Sequence, residues 1–190
     1  MYPAFLVLII ILSYILLRSV SASLLSLIVI FLSILPSMGS AGWLEYQVLP
    51  PLIIAPIIIL TIALAHAIHI LSIALSNMNE GMQKDKAIIE SMKINFMPVF
   101  LTSFTTAVGV AGVNFGNIPA FSQMANAVVF GAAYSFVLSV TVLPALFMMM
   151  PIKSDGKNNI ILPALHALGN FIFKFKYLSL IHISEPTRLQ

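Results

Sequence analysis

The sequence predicts an all-α integral membrane protein: five transmembrane helices followed by a cytoplasmic amphipathic helix. Three observations carry this. Hydrophobic residues fill 60% of the 190 positions and charged residues only 8%, with a mean hydropathy of +1.06, whereas a soluble domain carries about 25% charged residues. The apolar residues gather in blocks that approach or exceed the roughly 20 residues a spanning helix needs. Nearly every Lys and Arg falls on one side once each block crosses the bilayer.

The first block, residues 2–17, closes at Arg18. No basic segment precedes it, and a second block, 22–38, follows almost without a linker, so the pair reads as a helical hairpin rather than a signal peptide. Gly39, Gly42 and Pro50-Pro51 bracket a turn in which Trp43 and Tyr46 look like interfacial anchors beside Glu45. The third span is 51–75. The stretch Ser76–Asn95 carries Glu80, Lys84, Asp85, Lys86, Glu90 and Lys93, and reads as a solvated loop with a helical part from Asp85 to Met92. Pro98 opens a fourth span, 98–115. A Gly-Asn-Ile-Pro turn at 116–119 precedes the fifth, 121–149, which exceeds the bilayer thickness and is expected to tilt or to kink at Pro144. Residues 151–178 form a linker and an amphipathic surface helix containing His166, Lys174 and Lys176. Residues 179–190 break with this pattern and resemble translated sequencing adapter, so no function is read from them.

If each block crosses once, Arg18, Lys84, Lys86, Lys93, Lys153, Lys157, Lys174 and Lys176 share a side, with Glu45 opposite. The positive-inside rule makes that side cytoplasmic, including residues 76–96 and everything from 151 onward. A pI of 9.3 might suggest nucleic-acid binding. The net charge is only +3, however, and the basic residues are dispersed between apolar blocks, so nucleic acid is not an expected partner. Cysteine is absent, which excludes a disulfide framework, a thiolate metal site and a Cys nucleophile.

A charged side chain at a helix centre costs roughly 2.5–3.5 kcal/mol on insertion scales, so ionisable groups within spans are candidate functional residues. The spans hold no Asp, Glu, Lys or Arg, but His66 and His69 lie near the middle of the third. Their spacing puts both imidazoles on roughly one helix face, and imidazole ordinarily titrates near neutral pH. Three readings stay open: neutral histidines bonded to neighbouring helices, a proton relay or coupling group, and a metal site. Two His without a carboxylate or thiolate make an incomplete metal site, so no bound metal is expected. Thr102, Ser103, Thr105 and Thr106 concentrate hydroxyls that need partners at membrane level, and they are candidate hydrogen-bond partners of the histidines or packing groups. Gly109, Gly112 and Gly116 are expected to permit close helix packing. Gln123, Asn126, Ser135 and Ser139 read as packing or cavity lining.

Ala65-His66-Ala67-Ile68-His69, Gly81, Ala87, Pro98 through Gly109, and Leu143-Pro144-Ala145-Leu146 occur in this order. Together they resemble the resistance-nodulation-division superfamily, and within it the lipid and hydrophobe exporters of the mycobacterial-membrane-protein-large type with their sterol-sensing-like helix block. The resemblance covers about residues 1–178. It implies a bacterial inner-membrane, multi-pass exporter of lipids or other hydrophobic or amphiphilic substrates. The energy source it implies is the proton gradient, with no cofactor expected. It further implies that these spans are the second to sixth helices of the first half of a twelve-helix protein. A large periplasmic domain would then precede them and a second half would follow; a homo-oligomer is compatible with the pattern. Members place an acidic proton carrier where this chain has Ala65 and His66, so His66 becomes the expected titrating group. A sterol-sensing-like lipid sensor or scaffold that does not pump is the alternative. An enzyme is not expected, because a di-iron membrane site needs many His at helix ends.

Overall fold

The computed structural model describes residues 2–116 and 118–152, with side chains from Phe5 onward. Of the expected linker and amphipathic helix only Pro151 and Ile152, in the linker, are among the described residues, and the 179–190 tail lies wholly outside them. Five α-helices follow one another: α1 Tyr2–Leu17, α2 Val20–Trp43, α3 Pro50–Asn79, α4 Lys84–Ala111 and α5 Pro119–Met149. A 3-10 turn, Gly112–Phe115, extends α4. Among the described residues there is no strand. Four of these helices, taking α4 with its extension, are long and apolar enough to cross a membrane. α1 is shorter, and its 16 residues reach about 24 Å at 1.5 Å per residue.

The third and fourth helices correct the sequence reading. Ser76–Asn95 is not a loop: α3 continues to Asn79 and α4 starts at Lys84 and runs through Pro98, leaving only residues 80–83 between them. Two local causes are visible. Gly81 has φ +92°, and the amides of Gly81 and Met82 bond the carbonyls of Met78 and Asn77. This pairing closes a helix with a left-handed residue, which glycine adopts freely. In α4 the charged segment is amphipathic: Ala87, Ile88, Ser91, Asn95 and Val99 are buried, while Asp85, Lys86 and Lys93 stay exposed. That helical periodicity continues straight into the apolar part. α5 is likewise helical through Pro144.

Contacts at the helix ends sort the chain into two faces. Lys84 Nζ donates to the Met148 carbonyl at 3.0 Å and Ser21 Oγ to the Pro151 carbonyl at 3.3 Å. The α1–α2 link, the α3–α4 link and the end of α5 therefore share one face. At the other, the Gln47 amide donates to Gln123 Oε1 at 3.1 Å and Asn114 Nδ2 to Asn126 Oδ1 at 2.9 Å. Arg18, Lys84 and Lys86 belong to the first face and Glu45 to the second.

α5 packs against α2, α3 and α4, and α1 lies against α2 and α3. Small residues such as Ala22, Ala55, Ala67 and Ala127 are wholly buried between the helices beside larger ones such as Leu25, Ile70, Leu143 and Phe147, while many other large apolar side chains point outward, as expected where lipid is the solvent. Ser19, the N-cap of α2, and Ser26 and Ser33 within it are buried and, with Ser40, recur once per heptad, forming a narrow seam. Ser37 Oγ on the same helix donates to the Ala127 carbonyl of α5 at 2.7 Å. At Gly131 a side chain would collide with that of Ile59, so glycine is what lets α5 lie this close to α3.

Candidate functional site

His66 sits in the middle of α3, more than three turns from either end, and is 1% exposed. A buried imidazole needs partners for both ring nitrogens, and two other helices supply them. Ser103 Oγ of α4 lies 3.2 Å from Nε2, and Ser135 Oγ of α5 lies 3.4 Å from Nδ1. Both serines are buried.

The bonding pattern assigns the tautomer. Ser135 Oγ already donates its proton to the Ala132 carbonyl at 3.0 Å, so it can only accept from the ring, and Nδ1 carries the hydrogen. Nε2 of the neutral ring is then the acceptor, with Ser103 donating. A second proton, on Nε2, would oblige Ser103 to turn its hydroxyl from donor to acceptor. Its neighbours show where such a hydroxyl can go: Thr102 Oγ1 donates to the Pro98 carbonyl at 2.8 Å and Thr105 Oγ1 to the Leu101 carbonyl at 2.7 Å. Every Asp, Glu, Lys and Arg among the described residues lies in a link, at a helix end or in the first three turns of α4, so no fixed charge stands at the level of His66.

The other sequence candidates are placed differently. His69 is exposed on the bundle perimeter rather than beside His66 in the interior. Thr102 and Thr105 are exposed and bonded to their own helix, and Thr106 is half-buried; of the four hydroxyls, Ser103 is the one at the imidazole. Among the described residues no atom of another helix lies within 4 Å of where a side chain would stand at Gly109 or Gly112, so neither makes a close helix contact there. Among the described residues a side chain at Gly116 would meet the carbonyl of Val113, in its own 3-10 turn, at 3.3 Å. The close approach falls at Gly131 instead, a residue that no G-x-x-x-G spacing marks. Among the described residues no three His, Asp or Glu side chains gather as metal ligands.

Towards the Glu45 face lies an apolar cavity of about 310 Å³. It is lined by Met38 and Ala41 of α2, Tyr46 of the following link, and Leu52, Ile53 and Pro56 of α3.

A family model described as "MMPL family" matches residues 2–158. No curated protein and no solved structure matches the chain.

Proposed function

The chain belongs to the MMPL family, and on that premise we propose that it is the membrane domain of a proton-driven exporter of the resistance-nodulation-division type. The cargo is a lipid or another hydrophobic or amphiphilic molecule. The protein resides in the bacterial inner membrane with its Arg18 and Lys84 face towards the cytoplasm, and it works with further domains of the same protein.

The observation that carries this reading is the seating of His66 between hydroxyls of α4 and α5. A site whose protonation reverses one hydrogen bond between helices is a two-state element, which is what coupling requires. In this account His66 takes up the proton, Ser103 reads its charge on α4, and Ser135 holds the ring orientation from α5. His69 and Thr102, Thr105 and Thr106 lie outside this set.

A lipid sensor that does not pump is the second reading, and the apolar cavity between α2 and α3 favours it. Flux distinguishes the two. With the full-length protein in proteoliposomes, an exporter moves a fluorescent lipid when a proton gradient is imposed and stops when the gradient is collapsed. Saturable lipid binding without gradient-dependent flux would replace the exporter with the sensor.

A further inference from the structure

Hydroxyls on these helices have a ready partner in the carbonyl one turn back. Ser33, Thr102, Thr105 and Thr141 all use it, at 2.8, 2.8, 2.7 and 2.6 Å. Ser139 does not. It is 0% exposed on the inner face of α5, one turn beyond Ser135, and its Oγ has no hydrogen-bond partner among the described residues. A buried hydroxyl left so is disfavoured by its full desolvation.

The surroundings of Ser139 are polar on the neighbouring helices. α4 and α5 are antiparallel, and Phe136 meets the rings of Phe96 and Phe100 at 5.8 and 5.6 Å. One turn from there towards the Lys84 face, Ser139 comes level with Ser91 and Asn95 of α4, both buried. Ser91 Oγ donates to the carbonyl of Ile70, one turn beyond His66 on α3, and Asn95 Nδ2 donates to the Ser91 carbonyl at 2.9 Å. A second polar layer drawn from α3, α4 and α5 thus lies one turn from the His66 layer. On the opposite side of His66 the buried side chains of α3 and α5 are apolar, with Ala55, Ile59, Ala127, Val128 and Ala132 all 0% exposed, and the hydroxyl of Ser37 from α2 is satisfied by the Ala127 carbonyl.

We propose that Ser139 is the anchor of an internal water site that joins the His66–Ser103–Ser135 layer to the Ser91–Asn95 layer. A water there satisfies the serine hydroxyl and finds the two or more polar partners that a buried water needs. The site stands on geometry; its consequence, that this water is the immediate source of the proton taken up by His66, rests on the coupling role proposed above. The charged groups at this level, Glu90 and Lys93 of α4, stand on its outer side and pair with each other at 3.1 Å, and the other titratable group of α3, His69, is exposed.

The chain contains no cysteine, so Ser139→Cys introduces its only thiol, nearly isosteric with serine. Membranes carrying the full-length protein, with any cysteine elsewhere replaced, are exposed to Ag⁺, an ion of about the size of water. After denaturation the surviving thiol is titrated with a fluorescent maleimide. Ala55→Cys, equally buried but in apolar packing, is the reference. The Ser139→Cys thiol is expected to be blocked at least tenfold faster, and equal rates would overturn the water site. A second variant guards against misfolding: Ser139→Ala lowers the Tm if the hydroxyl holds a water, and raises it if the hydroxyl is dry, which would again overturn the proposal. A fast-reacting Ser139→Cys thiol together with unchanged gradient-driven export by a His66 variant would remove the coupling role and leave the water site standing.

Discussion

The Nε2 atom of His66 lies 3.2 Å from the hydroxyl of Ser103, and the pair joins α3 to α4 in the interior of the bundle. Because Ser135 fixes the hydrogen on Nδ1, Ser103 is the partner whose role must change when the ring is protonated. Ser103→Ala leaves a buried ring nitrogen without its donor and is expected to destabilise the protein by about 1–3 kcal/mol. His66→Leu removes the polar demand, so the double variant should lose clearly less than the sum of the two single losses. Reversible unfolding in mixed micelles measures this, and strict additivity would show that the contact is not formed.

Gly131 sets the spacing of α5 on α3. Gly131→Ala drives a methyl group into the Ile59 side chain and is expected to cost about 1–3 kcal/mol, the usual range for overpacking. Ile59→Ala in the same molecule should restore part of that loss, because it removes the colliding atoms. Thermal unfolding of the single and double variants tests it. Gly109→Ala and Gly112→Ala, at positions with open space, serve as controls expected to change the Tm little.

Lys84 fastens the α3–α4 link to the end of α5. Its ammonium donates to the carbonyls of Met148 and Met150 and stands 5.5 Å from the centre of the Phe147 ring. A cation at a helix C-terminus with an aromatic face beneath it is favourable on both counts. Lys84→Gln is expected to lower stability by about 1 kcal/mol, and faster hydrogen exchange at the amides of the last turn of α5 would locate the effect there.

Gly81 terminates α3 with a left-handed φ, and nothing crowds it. Gly81→Ala therefore reports backbone strain alone, at about 1 kcal/mol. A chemical denaturation curve checks the magnitude; no change would mean that the link relaxes instead of holding this turn.

Much of this fold is legible in the sequence because lipid imposes a coarse rule: apolar length makes a helix, and charge marks its ends. That rule recovers the five helices, and it fails where charge lies within a helix. Asp85 to Lys93 is polar by composition, yet Ala87, Ile88, Ser91 and Asn95 repeat on one face and carry α4 through what composition reads as a loop. His66 stands out as an ionisable residue in a span, but its partners do not. Ser103 shares its segment with three other hydroxyls, and only the rotation of α4 selects it. Ser135 is separated from His66 by 69 positions in sequence. Glycine spacing misleads for a related reason: Gly109 and Gly112 advertise a contact surface, whereas the contact at Gly131 depends on the side chain of Ile59 across the interface. The heptad spacing of Ser19, Ser26, Ser33 and Ser40 marks a packing seam, but the uniform hydropathy around it hides that signal.

The coupling role of His66 is tested most directly by the dependence of export on the imposed proton gradient, measured with full-length wild-type protein and His66→Gln in proteoliposomes. Glutamine can still donate and accept hydrogen bonds in the site but cannot take up a proton near neutral pH. The expected result is an export rate that rises with the gradient in the wild type and is flat in the folded variant. An equal slope in the two proteins would contradict the account.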